Sequence, residues 1–177
     1  TGGDEESLLP VAGIILPGAA VVSPRGKVLE NGMPRFFRRL AEGVFDLEDL
    51  HMRTEEMAKF IEKARVAYGL EGKRLVAAGY SNGANIAASI LLAHPGIFSR
   101  AALFHPMVPY VPERLPDLSG TEVLITAGTN DPIVDPDGTR ELAQLLRQSG
   151  ALVDVFWHDR GHSLTREELS AARTFLT

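Results

Sequence analysis

Apolar residues recur along the chain in two alternating patterns. Four short continuous runs, RLVAAGY (74–80), AALFHP (101–106), EVLITAG (122–128) and LVDVFWH (152–158), are bounded by glycine, proline or polar residues. Such runs are expected of strands covered on both faces. Between them, apolar positions return every three or four residues. Leu47, Leu50, Met57, Phe60, Ile61, Ala64 and Ala67 follow Asp46, a candidate N-cap, and the pattern ends at Gly69. Residues 82–94 read as a helix stopped by Pro95, and residues 137–149 as an amphipathic helix closed by Gly150. Thr165 with Glu168 forms a capping box for a last helix, with Leu164 and Leu169 at the hydrophobic-staple positions. The alternation predicts an α/β fold over residues 1–177 as one domain, a mostly parallel sheet with helices on both faces.

The front of the chain is less regular. Residues from Glu5 to Ile15 read as a first helix, and AAVVSP (19–24) as a short buried strand stopped by Pro24 and Gly26. An irregular stretch up to Phe45 holds Met33, Phe36 and Phe37, and a later loop carries Pro106, Pro109, Pro112 and Pro116, which forbid regular structure. The chain opens Thr1-Gly2-Gly3 without methionine. Upstream residues are therefore expected, and a signal peptide among them stays open.

Composition narrows the function. A 177-residue chain with 45% hydrophobic and 23% charged residues suits an ordinary globular domain. Its net charge of −5 argues against a nucleic-acid partner, which needs clustered lysine and arginine. Arg35, Arg38 and Arg39 make only a short basic stretch interleaved with Phe36, Phe37 and Leu40. With no cysteine, disulfides, thiolate chemistry and cysteine metal sites are excluded. The longest uncharged run, 7–24, is broken by Pro10, Gly13, Pro17 and Gly18, so no membrane span is expected.

Gly79-Tyr80-Ser81-Asn82-Gly83 is the sharpest chemical signal. A G-x-S-x-G match arises by accident in about one chain in twenty of this length, so the motif needs context. Here a strand precedes it and a helix follows, which pushes the serine out at the carboxyl edge of the sheet. Gly79 and Gly83 supply small neighbours for a strained turn, while Ala84, Ala87 and Ala88 let the helix pack closely. A serine nucleophile needs a base, and the base an orienting carboxylate. Asp131 follows the run 122–128 and His162 the run 152–158, in the chain order serine, acid, histidine. Asp135, before Pro136, is better read as an N-cap, and Asp137 falls in the first turn of the same helix. Asp159 is read as a surface carboxylate. His51 and His94 are expected in solvent, and His105 at a strand end beside a pocket. His158 competes with His162 for the role of base, and Gly161 favours His162 by freeing the backbone to turn. The spacing His158-Asp159-Arg160-Gly161-His162 imitates H-E-x-x-H, but the acid is aspartate, a glycine intervenes and no helix is expected, so no metal site is read there.

These residues together resemble the α/β-hydrolase superfamily. More narrowly, TGGDEESLLP, VVSPRGKVLENGMPRFFRR, GYSNGANIA, ALFHPMVP, TAGTNDPIV and WHDRGHSLT are similar to blocks of the small bacterial carboxylesterase/phospholipase group. That group is close to dienelactone-hydrolase-like and hydroquinone-resistance hydrolases. The resemblance implies a triad of Ser81, Asp131 and His162. It also implies an oxyanion hole from the backbone N–H groups of Asn82 and Thr1, with no cofactor. Dienelactone hydrolases proper use cysteine as nucleophile; this chain has serine, which argues against that activity. In the group a strand ending His-Gly precedes TGGDE and lies between AAVVSP and RLVAAGY, so an inner strand is expected to be missing from residues 1–177. Met33, Phe36, Phe37, Met107, Val108, Tyr110 and Ile133 are candidates for an apolar pocket wall. The expected substrate is a small or medium ester, because no long lid insertion is visible. A cytoplasmic enzyme is expected, and homodimerisation is left open.

Overall fold

The computed structural model describes residues 1–177. Its centre is a four-stranded parallel sheet in the order β5-β6-β7-β8, formed by Val76–Tyr80, Arg100–Phe104, Glu122–Gly128 and Leu152–His158. The register pairs Tyr80 with Phe104, Phe104 with Thr126, and Gly128 with His158. All four carboxyl ends therefore lie on one rim. The helices divide between the faces, as the alternation of side chains requires. Helices α2 (Leu47–Ala67), α3 (Asn82–Ala93) and α4 (Pro136–Gln148) cover the face built from Ala101, Leu103, Val123 and Ile125. Helices α1 (Leu9–Ile15) and α5 (Arg166–Leu176) cover the face built from Ala102, Phe104 and Leu124.

Local signals account for the helix ends. Asp46 accepts the Asp49 N–H, Asp135 accepts the Asp137 N–H ahead of α4, and Thr165 and Glu168 close the capping box of α5. The front differs from expectation in three ways. The first helix is shorter than Glu5–Ile15, because Asp4 Oδ1 takes the N–H groups of Glu6 and Ser7 and closes a separate turn. AAVVSP is not a buried strand: no strand pairs with it, and Val21 and Val22 are 49% and 42% exposed. Apolar content alone does not make a strand where no ladder partner lies alongside. The stretch up to Phe45 is more ordered than expected. It forms two antiparallel hairpins, β1 (Val28–Glu30) with β2 (Met33–Arg35) and β3 (Arg39–Ala41) with β4 (Val44–Phe45). Strand β5 stands at one edge of the sheet, which is where the resemblance locates a further strand.

Candidate active site

Ser81 follows β5 directly and opens α3 with φ 53° and ψ −115°, a left-handed backbone uncommon outside glycine. Its N–H donates to Phe104 O at 2.8 Å, which fixes the turn against the neighbouring strand. Gly79 permits this turn. A Cβ there would fall on the carbonyl of Gly83 and 2.7 Å from the Ala84 nitrogen. Gly83 is different from expectation, since a Cβ there would meet only Phe36 Cε2, at an ordinary 3.6 Å.

Two loops carry the partners. The loop after β7 brings Asp131, and the loop after β8 brings His162. Ser81 Oγ lies 2.9 Å from His162 Nε2, and His162 Nδ1 lies 2.7 Å from Asp131 Oδ2. Asp131 Oδ1 accepts the backbone N–H groups of Ile133 at 2.8 Å and Val134 at 3.1 Å. Burial raises the Asp131 pKa, but these bonds and the imidazoles of His162 and His105 on Oδ2 outweigh it, leaving the carboxyl below its ordinary value. Tyr80 O–H donates to His162 O at 2.7 Å and holds the histidine loop to the end of β5. The phenol itself is pushed up by burial and by Asp131 and Glu168.

The two loops are laced together. Thr129 N–H donates to His158 O at 2.8 Å, Asn130 N–H to Arg160 O at 3.2 Å, and Asn130 Nδ2 to Asp159 O at 2.7 Å. The glycine that permits this approach is Gly128, where a Cβ would collide with the Arg160 carbonyl. Gly161 does not have the expected role, because its φ is not left-handed and a Cβ would sit 3.5 Å from Asn130 O.

The other candidates scatter. Asn82 is the first residue of α3, where its backbone N–H has no partner inside the helix, and its Oδ1 accepts Phe36 N–H at 2.7 Å. Thr1 Oγ1 takes a bond from Arg35 Nη1 at 2.5 Å, beside the β1–β2 hairpin. Phe37 is not available to a pocket: it is fully buried and packs edge-on against Phe45. Met33 packs beside Gly2, and Tyr110 sits edge-on against His51. Val108 is packed against the main core. Met107 donates its N–H to Asn85 Oδ1, and Ile133 is 39% exposed beside Asp131. A groove of about 750 Å³ between β8 and α5, lined by Leu124, Phe156, Ala171 and Phe175 among others, includes none of Ser81, Asp131 and His162. The hydrogen-bonded side chains, not the volume, mark the site.

Two residues have contacts that the sequence reading did not anticipate, although it placed His105 at a strand end and Glu168 in a capping box. His105 is fully buried, with φ 52° at the end of β6, and its Nδ1 lies 2.9 Å from Asp131 Oδ2. Glu168, read only as a capping residue, is also fully buried and lies 2.9 Å from His105 Nε2. The available signal was a histidine closing a run of apolar strand residues.

Residues 38–173 match the model of the dienelactone hydrolase family. The chain belongs to that family. It is 49% identical over 173 residues to MhqD of Bacillus subtilis (strain 168), covering 98% of this chain and 86% of MhqD. The crystal structure of the Bacillus cereus carboxylesterase superposes with a TM-score of 0.96 at 50% identity, covering 98% of this chain and 82% of that one. The carboxylesterase from Mesorhizobium loti gives 0.93 at 34% identity, covering 99% and 84%. The fold is thus that of the α/β-hydrolase carboxylesterases, and family membership makes the protein a hydrolase. No helix is long and apolar enough to cross a membrane.

Proposed function

We propose that the protein is a serine carboxylesterase that cleaves small or medium esters through an acyl-enzyme. One observation carries this reading: the continuous chain from Ser81 Oγ to His162 Nε2 at 2.9 Å and from His162 Nδ1 to Asp131 Oδ2 at 2.7 Å. An ionised Asp131 only accepts hydrogen bonds, so His162 must carry its proton on Nδ1. That leaves the Nε2 lone pair facing the serine hydroxyl. Ser81 Oγ attacks the ester carbonyl as His162 takes its proton, and the protonated ring then delivers that proton to the departing alcohol. Asp131 holds the ring and steadies its positive form. Water, deprotonated by His162, attacks the acyl-enzyme and releases the acid.

The oxyanion is assigned to the Asn82 N–H at the positive end of α3, with the Thr1 N–H as the second donor that the resemblance implies. Phe36, Met107 and Ile133 offer apolar surface for the acyl or alcohol group. The chemistry needs no metal or organic cofactor. Names of relatives support an ester substrate, since the Bacillus cereus and Mesorhizobium loti proteins are carboxylesterases.

Hydrolysis of p-nitrophenyl esters by the wild-type protein and by Ser81→Ala is the test. The variant is expected to lose roughly 10⁴-fold or more in turnover. An organophosphonate should label Ser81, read by mass spectrometry. Equal rates from both proteins would leave a non-catalytic binding protein of the same fold. A series of acyl chain lengths together with a thioester ranks esterase against thioesterase or lysophospholipase action.

A further inference from the structure

His105 sits behind the proposed triad, where every neighbour can be counted. Its ring meets Asp131 from the loop after β7, Glu168 from α5 and Tyr80 from the end of β5. His158, at the end of β8, and His162 complete the shell. Asp131 Oδ2 is 2.9 Å from Nδ1 and Glu168 Oε1 is 2.9 Å from Nε2. Ring centroids of His158, His162 and Tyr80 lie 5.3, 5.1 and 5.9 Å away.

Both carboxylates are committed as acceptors. Asp131 takes two backbone N–H groups on Oδ1 and the His162 ring on Oδ2. Glu168 takes the Thr126 hydroxyl at 2.6 Å on Oε1 and the Thr165 N–H at 2.7 Å on Oε2. An ionised carboxylate has no proton to give, so each His105 nitrogen that faces one must carry its own hydrogen. The Nε2–H is not well aimed at Glu168, so that contact is ionic more than a linear hydrogen bond.

A metal ion between His105, His158 and Glu168 is the rival reading of the same cluster, since their ligand atoms lie within 4.8 Å. The proton on His158 opposes it. Arg160 N–H donates to His158 Nδ1 at 3.1 Å, which leaves the ring proton on Nε2, the atom that would have to bind the metal.

We infer that His105 is a standing imidazolium that shares Asp131 Oδ2 with His162, positions that carboxylate, and by its charge disfavours a second positive charge on His162. This rests on the serine-hydrolase reading for its catalytic consequence. Burial lowers the His105 pKa, but Glu168 and Asp131 raise it further than burial lowers it. Glu168 in turn is held down to about 2, against its own burial, by His105 and Thr126. The consequence is directional. A fixed cation repels a second one beside it, so the enzyme keeps activity further into acid than a variant without His105, while Asp131, shared between two rings, steadies the positive form of His162 less.

The charge itself is read by ¹⁵N NMR of the histidine rings in the wild-type protein. Both His105 nitrogens are expected to be protonated at pH 7, and one bare nitrogen there would overturn the assignment. His105→Gln is expected to move the acid limb of kcat/KM to higher pH, because the fixed charge beside the base is gone. If that variant fails to fold, His105→Gln with Glu168→Gln carries the test, because glutamine keeps the capping box and Glu168 is no longer left buried without a cation. Its shift is expected in the same direction and smaller, because Glu168 is removed with His105. Lower thermal stability or lower kcat with an unmoved acid limb would make His105 structural only. Should the wild-type protein neither hydrolyse esters nor label at Ser81, the esterase reading fails while the ring NMR still decides the charge on His105.

Discussion

Ser81 and His105 follow adjacent strands, and both hold left-handed φ, at 53° and 52°. Each such residue costs on the order of 1–3 kcal/mol and persists only where its surroundings over-determine it. The surroundings are specific. Ser81 N–H is tied to Phe104 O and His105 N–H to Thr126 O at 2.9 Å, so each strand's end dictates where the next side chain points. Gly79 shares this constraint, because its missing Cβ leaves room for the Gly83 carbonyl. Gly79→Ala is therefore expected to lower the thermal midpoint sharply or to prevent folding, as overpacking against backbone does. Gly83→Ala should leave the midpoint within a few degrees of wild type, since alanine suits a helix better than glycine and meets only the edge of Phe36. Equal losses from both would contradict the reading of this turn.

The geometry of the proposed triad depends on two loops acting as a pair, and Gly128 is where their backbones come too close for a side chain. Gly128→Ala is expected to displace the His162 loop and to reduce kcat by about 10²-fold with the fold retained, because an error near 1 Å in a catalytic group has that effect. Gly161→Ala should stay within a few-fold of wild type. Steady-state kinetics with circular dichroism on both variants separates misplacement from unfolding. This pair also shows what the chain reveals before folding. The four sheet strands and the caps at Asp46, Asp135 and Thr165 were legible, because local pattern and cap chemistry decide them. So were the positions of Ser81, Asp131 and His162 beyond the ends of β5, β7 and β8. Gly128, His105 and Glu168 were not, because their roles depend on contacts between segments 26 to 63 residues apart in sequence, from His105 on Asp131 to Glu168 on His105. AAVVSP misled for the same reason: its apolar pattern suits a strand, but the ladder partner is a tertiary fact.

The buried charges at the rim join β6, β7, β8 and α5, so their protonation bears on the stability of the fold as well as on catalysis. Asp131 and Glu168 are both held below their ordinary values, the second from 4.5 to about 2. Groups lowered in the native state stabilise it at pH above the unfolded value, and that stabilisation is lost as pH falls through the native one. His105 is raised above 6.5. Its contribution is complete below that value and fades as pH climbs through the raised one. The cluster thus stabilises the fold most between about pH 5 and 6.5 and less on either side. Thermal unfolding of the wild-type protein and of Glu168→Gln, followed from pH 3 to 9, isolates the effect. The gap between their midpoints is expected to be widest near pH 6 and to narrow toward pH 3, as Glu168 takes up a proton in the unfolded chain. It should narrow again on the alkaline side, where His105 loses its charge and Glu168 is left buried without a cation. A gap constant across the whole range would mean that the charges on Glu168 and His105 do not set it, and that neutral packing and hydrogen bonding at residue 168 do.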